Sequence, residues 1–327
     1  MNLAFLGSPD FAVPTLEALH EAGHRVRLVI TRPDRPRGRG RKPAATAVKQ
    51  AAERLGLPLW QPESVNRPET ARALAESGAE MGVVAAYGEI LRPSVLSALP
   101  QGFLNLHASL LPDYRGAAPV HWALMRGETG TGVTVIRMAP RLDAGPVLAA
   151  AKVRIGDRET MGELEARLAR EGAALMAEVL RRLDRGEAVP ERPQPASGGF
   201  FARALTKDDG RLAWTVPARE LCNRVRGLTP WPGAWTVLET GGRRVKVTLL
   251  CAEPAPVPGD GAEAGAAVAP GTVLAVEPDA LRVQAGRGAV RVRALKPAGS
   301  RAMCVPDFVH GHRVRPGDRF VAPTDGD

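Results

Sequence analysis

Asn105 and His107 stand two residues apart at the end of the apolar run FLNLH, residues 103–107. If that run is a strand, alternate side chains point to the same side, so the amide and the imidazole share one cavity. At a reacting carbonyl, an amide N–H can hold a developing oxyanion. An imidazole can exchange a proton near neutral pH. The turn Ser109-Leu110-Leu111-Pro112 follows, then Arg115-Gly116 and Pro119. Such a loop would set backbone N–H and C=O groups against a flat ligand. Asp143, in RLDAGPVL (141–148), lies between two apolar runs. A carboxylate there would orient the His107 ring. Taken alone, the pair also fits a hydrogen-bonded strand end, and Asp143 an Asx-turn.

Other chemistries lack their residues. No G-x-S-x-G elbow is present, so no acyl-enzyme is demanded. No H-E-x-x-H or Cys/His cluster stands at metal spacing, so no metal site is expected. GSPDF after the first apolar run is not G-x-G-x-x-G, which argues against a dinucleotide-dependent oxidoreductase. The three cysteines, Cys222, Cys251 and Cys304, are widely spaced and fit a reducing cytoplasm rather than a disulfide frame.

The elements that must position these residues follow from pattern. Over the first half, apolar runs alternate with helix patterns: NLAFLG (2–7), RVRLVI (25–30), AEMGVVAAYG (79–88) and GFLNLH (102–107), with helices near 44–56 and 160–185. That alternation predicts an α/β fold with a doubly wound, mostly parallel sheet, whose ligands bind beyond the carboxyl ends of the strands. Asn105 and His107 lie at one such end. The reading places a first domain at 1–187, a Pro- and Gly-rich linker at 188–206, and a second domain at 207–327. The second domain shows one helix pattern (217–228) and several short β runs, which suggests a small β-barrel. Residues 253–270 are low in complexity and are expected to form a mobile loop. No run of about 18 apolar residues exists, so no membrane span is expected.

The charge is concentrated. Of a formal net charge of +9, the segment RPDRPRGRGRK (32–42) contributes six basic residues and one acid, a net +5. Residues 203–327 carry 18 basic and 13 acidic residues, also a net +5. The Pro and Gly residues rule out a helix in the first segment. Such a run can be no more than a solvated face. However, Arg suits bidentate phosphate contacts, and the run follows a predicted strand on the same side as Asn105. A nucleic acid is its natural partner.

Together the motifs resemble the methionyl-tRNA formyltransferase family. The resemblance rests on FLGSPDFAVPTLEAL, TRPDRPRGRGRK, AAYGEIL, NLHASLLPDYRGAAPVHWAL, GVTVIRMAPRLDAGPVL and LTPWPGAW, and covers residues 3 to about 320. It implies a Rossmann-like formyltransferase domain followed by an OB-like, tRNA-binding barrel. It implies transfer of a formyl group from 10-formyltetrahydrofolate to the α-amino group of methionyl initiator tRNA. Asn105, His107 and Asp143 match the family's catalytic positions, and Ser109, Leu110, Leu111 and Pro112 its folate-contacting turn. Arg35, Arg37, Arg39, Arg41 and Lys42 match the insertion that enters the tRNA acceptor end, where initiator tRNA carries a mismatch. A cytoplasmic monomer is expected, with folate and initiator tRNA as partners and no membrane. The same trio would also serve a formyltransferase acting on a small amine such as a nucleotide sugar or glycinamide ribonucleotide, without the Arg loop. A non-catalytic RNA-binding protein would not need Asn105 and His107.

Overall fold

The computed structural model describes residues 1–37, 42–255 and 268–324. The chain divides into two compact units. The first comprises Met1–Pro119, Gly130–Ile155 and Leu164–Arg203, and the second Val120–Thr129, Gly156–Glu163 and Ala204–Asp327.

In the first unit the elements run β1 (Asn2–Gly7), α1 (Val13–Glu21), β2 (Arg25–Ile30), β3 (Arg35–Arg37), β4 (Lys42–Ala44), α2 (Ala47–Arg54), β5 (Leu59–Trp60), α3 (Pro68–Glu76) and β6 (Met81–Ala85). They continue through α4 (Pro93–Leu96), β7 (Phe103–His107), β8 (Arg115–Gly116), β9 (Gly130–Arg137), β10 (Val147–Arg154), α6 (Met161–Asp184), which belongs to this unit from Leu164, and β11 (Phe201–Ala202), while α5 (Pro119–Met125) falls in the second unit after Pro119. Seven strands form one sheet in the order β10-β9-β7-β6-β1-β2-β5. The five from β7 to β5 are parallel, while β9 runs antiparallel to β7 and β10 antiparallel to β9. The expected doubly wound, mostly parallel sheet is therefore present, with an antiparallel edge.

Strands β1 and β6 read as nearly continuous apolar runs because helices cover both faces of a parallel sheet. Strand β7 departs from that pattern. Leu106 packs on α6, where a Cβ at Gly172 would lie 2.6 Å from a Leu106 methyl. By the pleat, Asn105 and His107 turn to the opposite side. Strand β1 is flanked by β2 and β6, so the chain leaves it in both directions and opens a crevice at the carboxyl ends.

The second unit holds α7 (Ala218–Gly227), β12 (Ala234–Thr240), β13 (Arg243–Ala255), β14 (Val273–Val276), β15 (Leu281–Gln284), β16 (Ala289–Pro297), β17 (Met303–Cys304), α8 (Val305–His312) and β18 (Arg319–Val321). Its antiparallel sheet follows the order β14-β15-β16-β13-β12-β18, with β17 beside β16. A bridge between Thr272 and Arg319 joins the two ends, so the sheet curls towards the expected barrel. Phe320 stacks on Trp214 at 5.2 Å, and the Trp214 indole N–H donates to Thr236 Oγ1 at 3.0 Å. Burial pushes the Cys222 thiol up to about 12, which makes it a packing residue rather than a nucleophile.

Of the low-complexity stretch 253–270, Glu253–Ala255 complete β13, and 256–267 lie outside the described residues. The stretch 188–206, expected as a linker, belongs to the first unit as far as Arg203. Arg192 exchanges backbone hydrogen bonds with Val147, and β11 pairs in parallel with β8. Among the described residues no helix is long and apolar enough to cross a membrane.

Candidate active site

His107 ends β7, 6% exposed, with its ring held from two sides. Its Nε2 lies 2.9 Å from the carbonyl oxygen of Tyr114. A carbonyl only accepts, so Nε2 carries the hydrogen and, in the neutral ring, Nδ1 presents its lone pair. Nδ1 faces Asp143 Oδ2 at 3.7 Å. That separation is too long for a direct hydrogen bond and close enough for a charged pair. The same Oδ2 accepts the Gly116 N–H at 2.9 Å, which fixes the carboxylate. Asn105 shares the face, pairing with Val84 and Ile136 on the adjacent strands. It is partly exposed, and among the described residues its amide makes no side-chain hydrogen bond. Its N–H groups are therefore available to a ligand.

Backbone geometry sets these atoms in place. Asp143 has φ +49°, a left-handed conformation that Asp tolerates and most side chains do not. Gly116 has φ +120°, and a Cβ there would meet the Ala202 carbonyl at 2.5 Å. Only glycine gives both the turn and the approach of β11.

The Ser109–Pro112 turn adjoins this site and is tied into the sheet. Ser109 Oγ donates to the Asp113 carbonyl at 2.6 Å. Thr134, on β9, donates to the Ser109 carbonyl at 2.6 Å and accepts from Leu111 N at 3.2 Å. Leu110, Leu111 and Pro112 remain partly exposed. Across the crevice, Ser8 Oγ donates to the Tyr87 carbonyl at 3.2 Å. The Tyr87 hydroxyl is buried without a partner among the described residues, and burial pushes its phenol up to about 12.

The residues from Gln194 to Ala202, read from sequence as linker, form the outer wall of the site. Gln194 Nε2 donates to the carbonyls of Asp143 (2.9 Å) and Gly145 (2.7 Å). Its Oε1 accepts from Arg115 Nη2 at 2.8 Å and Nε at 3.2 Å. One amide thus ties the Asp143 loop to β8. Phe200 packs against Tyr114 with ring centroids 5.5 Å apart, behind the carbonyl that holds His107. Gln194→Ala is expected to lower kcat by about tenfold, since roughly 1 Å of misplacement at a reacting group is costly. The folate KM should change little. A kcat equal to that of the parent enzyme would show that the Asp143 loop holds itself. The apolar GGFFA in a Pro-rich stretch is the sequence signal that this segment packs.

The basic segment forms a β3–β4 hairpin with Arg35 opposite Ala44 and Arg37 opposite Lys42. Arg39 and Arg41 lie outside the described residues. The hairpin leaves the carboxyl end of β2, three strands from β7, or about 14 Å across the sheet. Its described strands share the site's edge. Its base is anchored: Lys49 Nζ pairs with Asp34 Oδ2 at 2.7 Å, and Gln61 Nε2 donates to Asp34 Oδ1 and the Arg32 carbonyl, both at 2.8 Å. The hydrogen bonds from Gln61 and Lys49 hold the Asp34 carboxyl below its ordinary range. Among the described residues no group of His, Cys, Asp and Glu could hold a metal ion.

The formyl transferase family matches residues 1–180, and the formyl transferase C-terminal domain matches residues 204–313. The methionyl-tRNA formyltransferase of Heliobacterium modesticaldum is 44% identical over 98% of this chain and 100% of its own length. That of Symbiobacterium thermophilum is 44% identical over 99% of this chain and 96% of its own. The crystal structure of HypX from Aquifex aeolicus with tetrahydrofolic acid shares the fold, with a TM-score of 0.61 at 18% identity, covering 94% of this chain and 46% of HypX. Two matched domains and full-length relatives at this identity place the chain in the methionyl-tRNA formyltransferase family.

Proposed function

We propose that this chain transfers a formyl group from 10-formyltetrahydrofolate to the α-amino group of methionyl initiator tRNA, with Asn105, His107 and Asp143 carrying the chemistry. The observation that supports the trio most directly is the His107 ring, held between the Tyr114 carbonyl and the Asp143 carboxylate beside an Asn105 amide that has no partner among the described residues.

A free α-amine titrates near 8, so about a tenth of it is neutral and nucleophilic at pH 7. No protein nucleophile is needed, and direct attack accounts for the reaction. The amine nitrogen bonds to the formyl carbon and the carbonyl oxygen becomes an oxyanion, to which the Asn105 N–H donates. The amine loses a proton to the His107–Asp143 pair. The bond from the formyl carbon to the folate nitrogen then breaks, and that nitrogen recovers the proton. Ser109–Pro112 seat the folate. Arg35, Arg37, Arg39, Arg41 and Lys42 enter the acceptor end, where an unpaired terminus opens a groove that is closed inside an A-form stem.

The test is formyl transfer from 10-formyltetrahydrofolate to methionyl initiator tRNA against methionyl elongator tRNA. The elongator is expected to react with kcat/KM lower by about tenfold or more, the size of one lost base contact. Equal rates would sink the acceptor assignment, and transfer to a small amine in preference to either tRNA would replace it.

A further inference from the structure

A cavity of about 240 Å³ opens beside the trio, lined by Arg115, Arg141, Leu142, Ala196–Gly199 and Phe201. Its walls are continuous with the site. Leu142 precedes Asp143, and Arg115 precedes the Gly116 whose N–H holds the Asp143 carboxylate. Whatever fills this cavity lies within a residue's reach of the reacting amine.

Three features define the occupant. The cavity is smaller than the roughly 300–1,000 Å³ that holds a drug-sized ligand, so neither a whole folate nor a nucleotide fits inside it. Its large exposed side chains are Phe201, 59% exposed, Leu142, 39% exposed, and Arg141. The Arg115 head is occupied by Gln194 Oε1 and the Pro195 carbonyl, so the guanidinium is satisfied within the wall. The cavity therefore offers an apolar floor with an aromatic edge, and of its two arginines Arg115 is held within the wall and Arg141 is open to solvent.

On the reading that the acceptor is an aminoacyl-tRNA, we propose that this cavity receives the side chain of the esterified amino acid, with Leu142 and Phe201 selecting an unbranched thioether. The geometry suits that ligand. The side chain leaves the carbon that bears the attacking amine, so an amine directed to the trio carries its side chain towards the adjoining walls. A thioether is flexible enough to fill an irregular apolar space, and its sulfur packs favourably at an aromatic edge. The wall that supplies Phe201 is the same 194–202 segment that braces Asp143, so selection and chemistry are joined in one piece of chain.

The experiment compares one initiator tRNA charged with methionine or with alanine, in the wild type and in Leu142→Ala, Phe201→Ala and Ala196→Leu. The readout is the ratio of kcat/KM for the two acceptors. The wild type should favour methionine by about tenfold or more, as an apolar pocket does for a longer side chain. Enlarging the cavity with Leu142→Ala or Phe201→Ala should bring that ratio down by about tenfold, and filling it with Ala196→Leu should do the same from the opposite direction. A ratio unchanged in all three variants would overturn the cavity's role and leave the reaction standing. An equal loss for both acceptors with a raised tRNA KM would likewise overturn it, in favour of a nucleotide contact. Failure of the wild type to formylate any aminoacyl-tRNA would overturn the reaction itself and this assignment with it.

Discussion

Asp143→Asn is expected to lower kcat for formyl transfer by about 10²–10⁴-fold, the range for loss of a positioned proton-transfer group. The substitution is chosen for its backbone. Asp143 sits at φ +49°, which Asn adopts readily and Ala does not, so the loop is retained. The Asn carbonyl can still accept the Gly116 N–H. That oxygen takes the place of Oδ2, the atom that also faces His107 Nδ1, so the ring meets a neutral acceptor. The charge that pairs with a protonated ring is gone. Steady-state kinetics with methionyl initiator tRNA check this, with folate binding as the control for a correctly built site. A kcat close to that of the parent enzyme would remove Asp143 from the chemistry. Asn105→Ala should fall in the same class, by about 10²–10³-fold, because one oxyanion donor is lost.

The second large effect is expected at the basic hairpin. Replacing Arg35, Arg39 and Arg41 together by Ala should raise the KM for tRNA and leave the folate KM unchanged. The dependence of log KM on log salt should become shallower by about one unit for each phosphate contact removed. The hairpin lies some 14 Å across the sheet from β7, so its loss should weaken acceptor capture more than the chemical step at saturating tRNA. An unchanged salt slope would show that these charges face solvent in the complex as well.

Much of this architecture was legible in the residues. The two-residue spacing of Asn105 and His107 gave their shared face, because a strand alternates with period two and Leu106 had to go elsewhere. The parallel sheet followed from apolar runs alternating with helix patterns. The direction of β9 and β10 did not, since a buried run has the same composition whichever way it pairs. Gln194 and Thr134 were also illegible. Each acts through contacts between positions far apart in the chain: Gln194 is 51 residues from Asp143 and Thr134 is 25 from Ser109. A Pro-rich segment such as 188–206 has no periodicity to show that one of its amides is a clamp. The likeness of motifs to a family supplied the roles of the trio, while the spacing alone had left a strand end and an Asx-turn open.

The wall from Gln194 to Ala202 has a consequence for synthesis. The seven-stranded sheet is complete at Arg154, and its last covering helix at Asp184. A nascent chain reaching that point can already fold its sheet, because domains form from the N-terminus as they emerge. It would still lack the amide that holds the Asp143 loop, the ring behind Tyr114 and the strand that closes on Gly116. The growing polypeptide thus acquires its shape before its competence, and a chain cut short after α6 would be a well-formed but idle body.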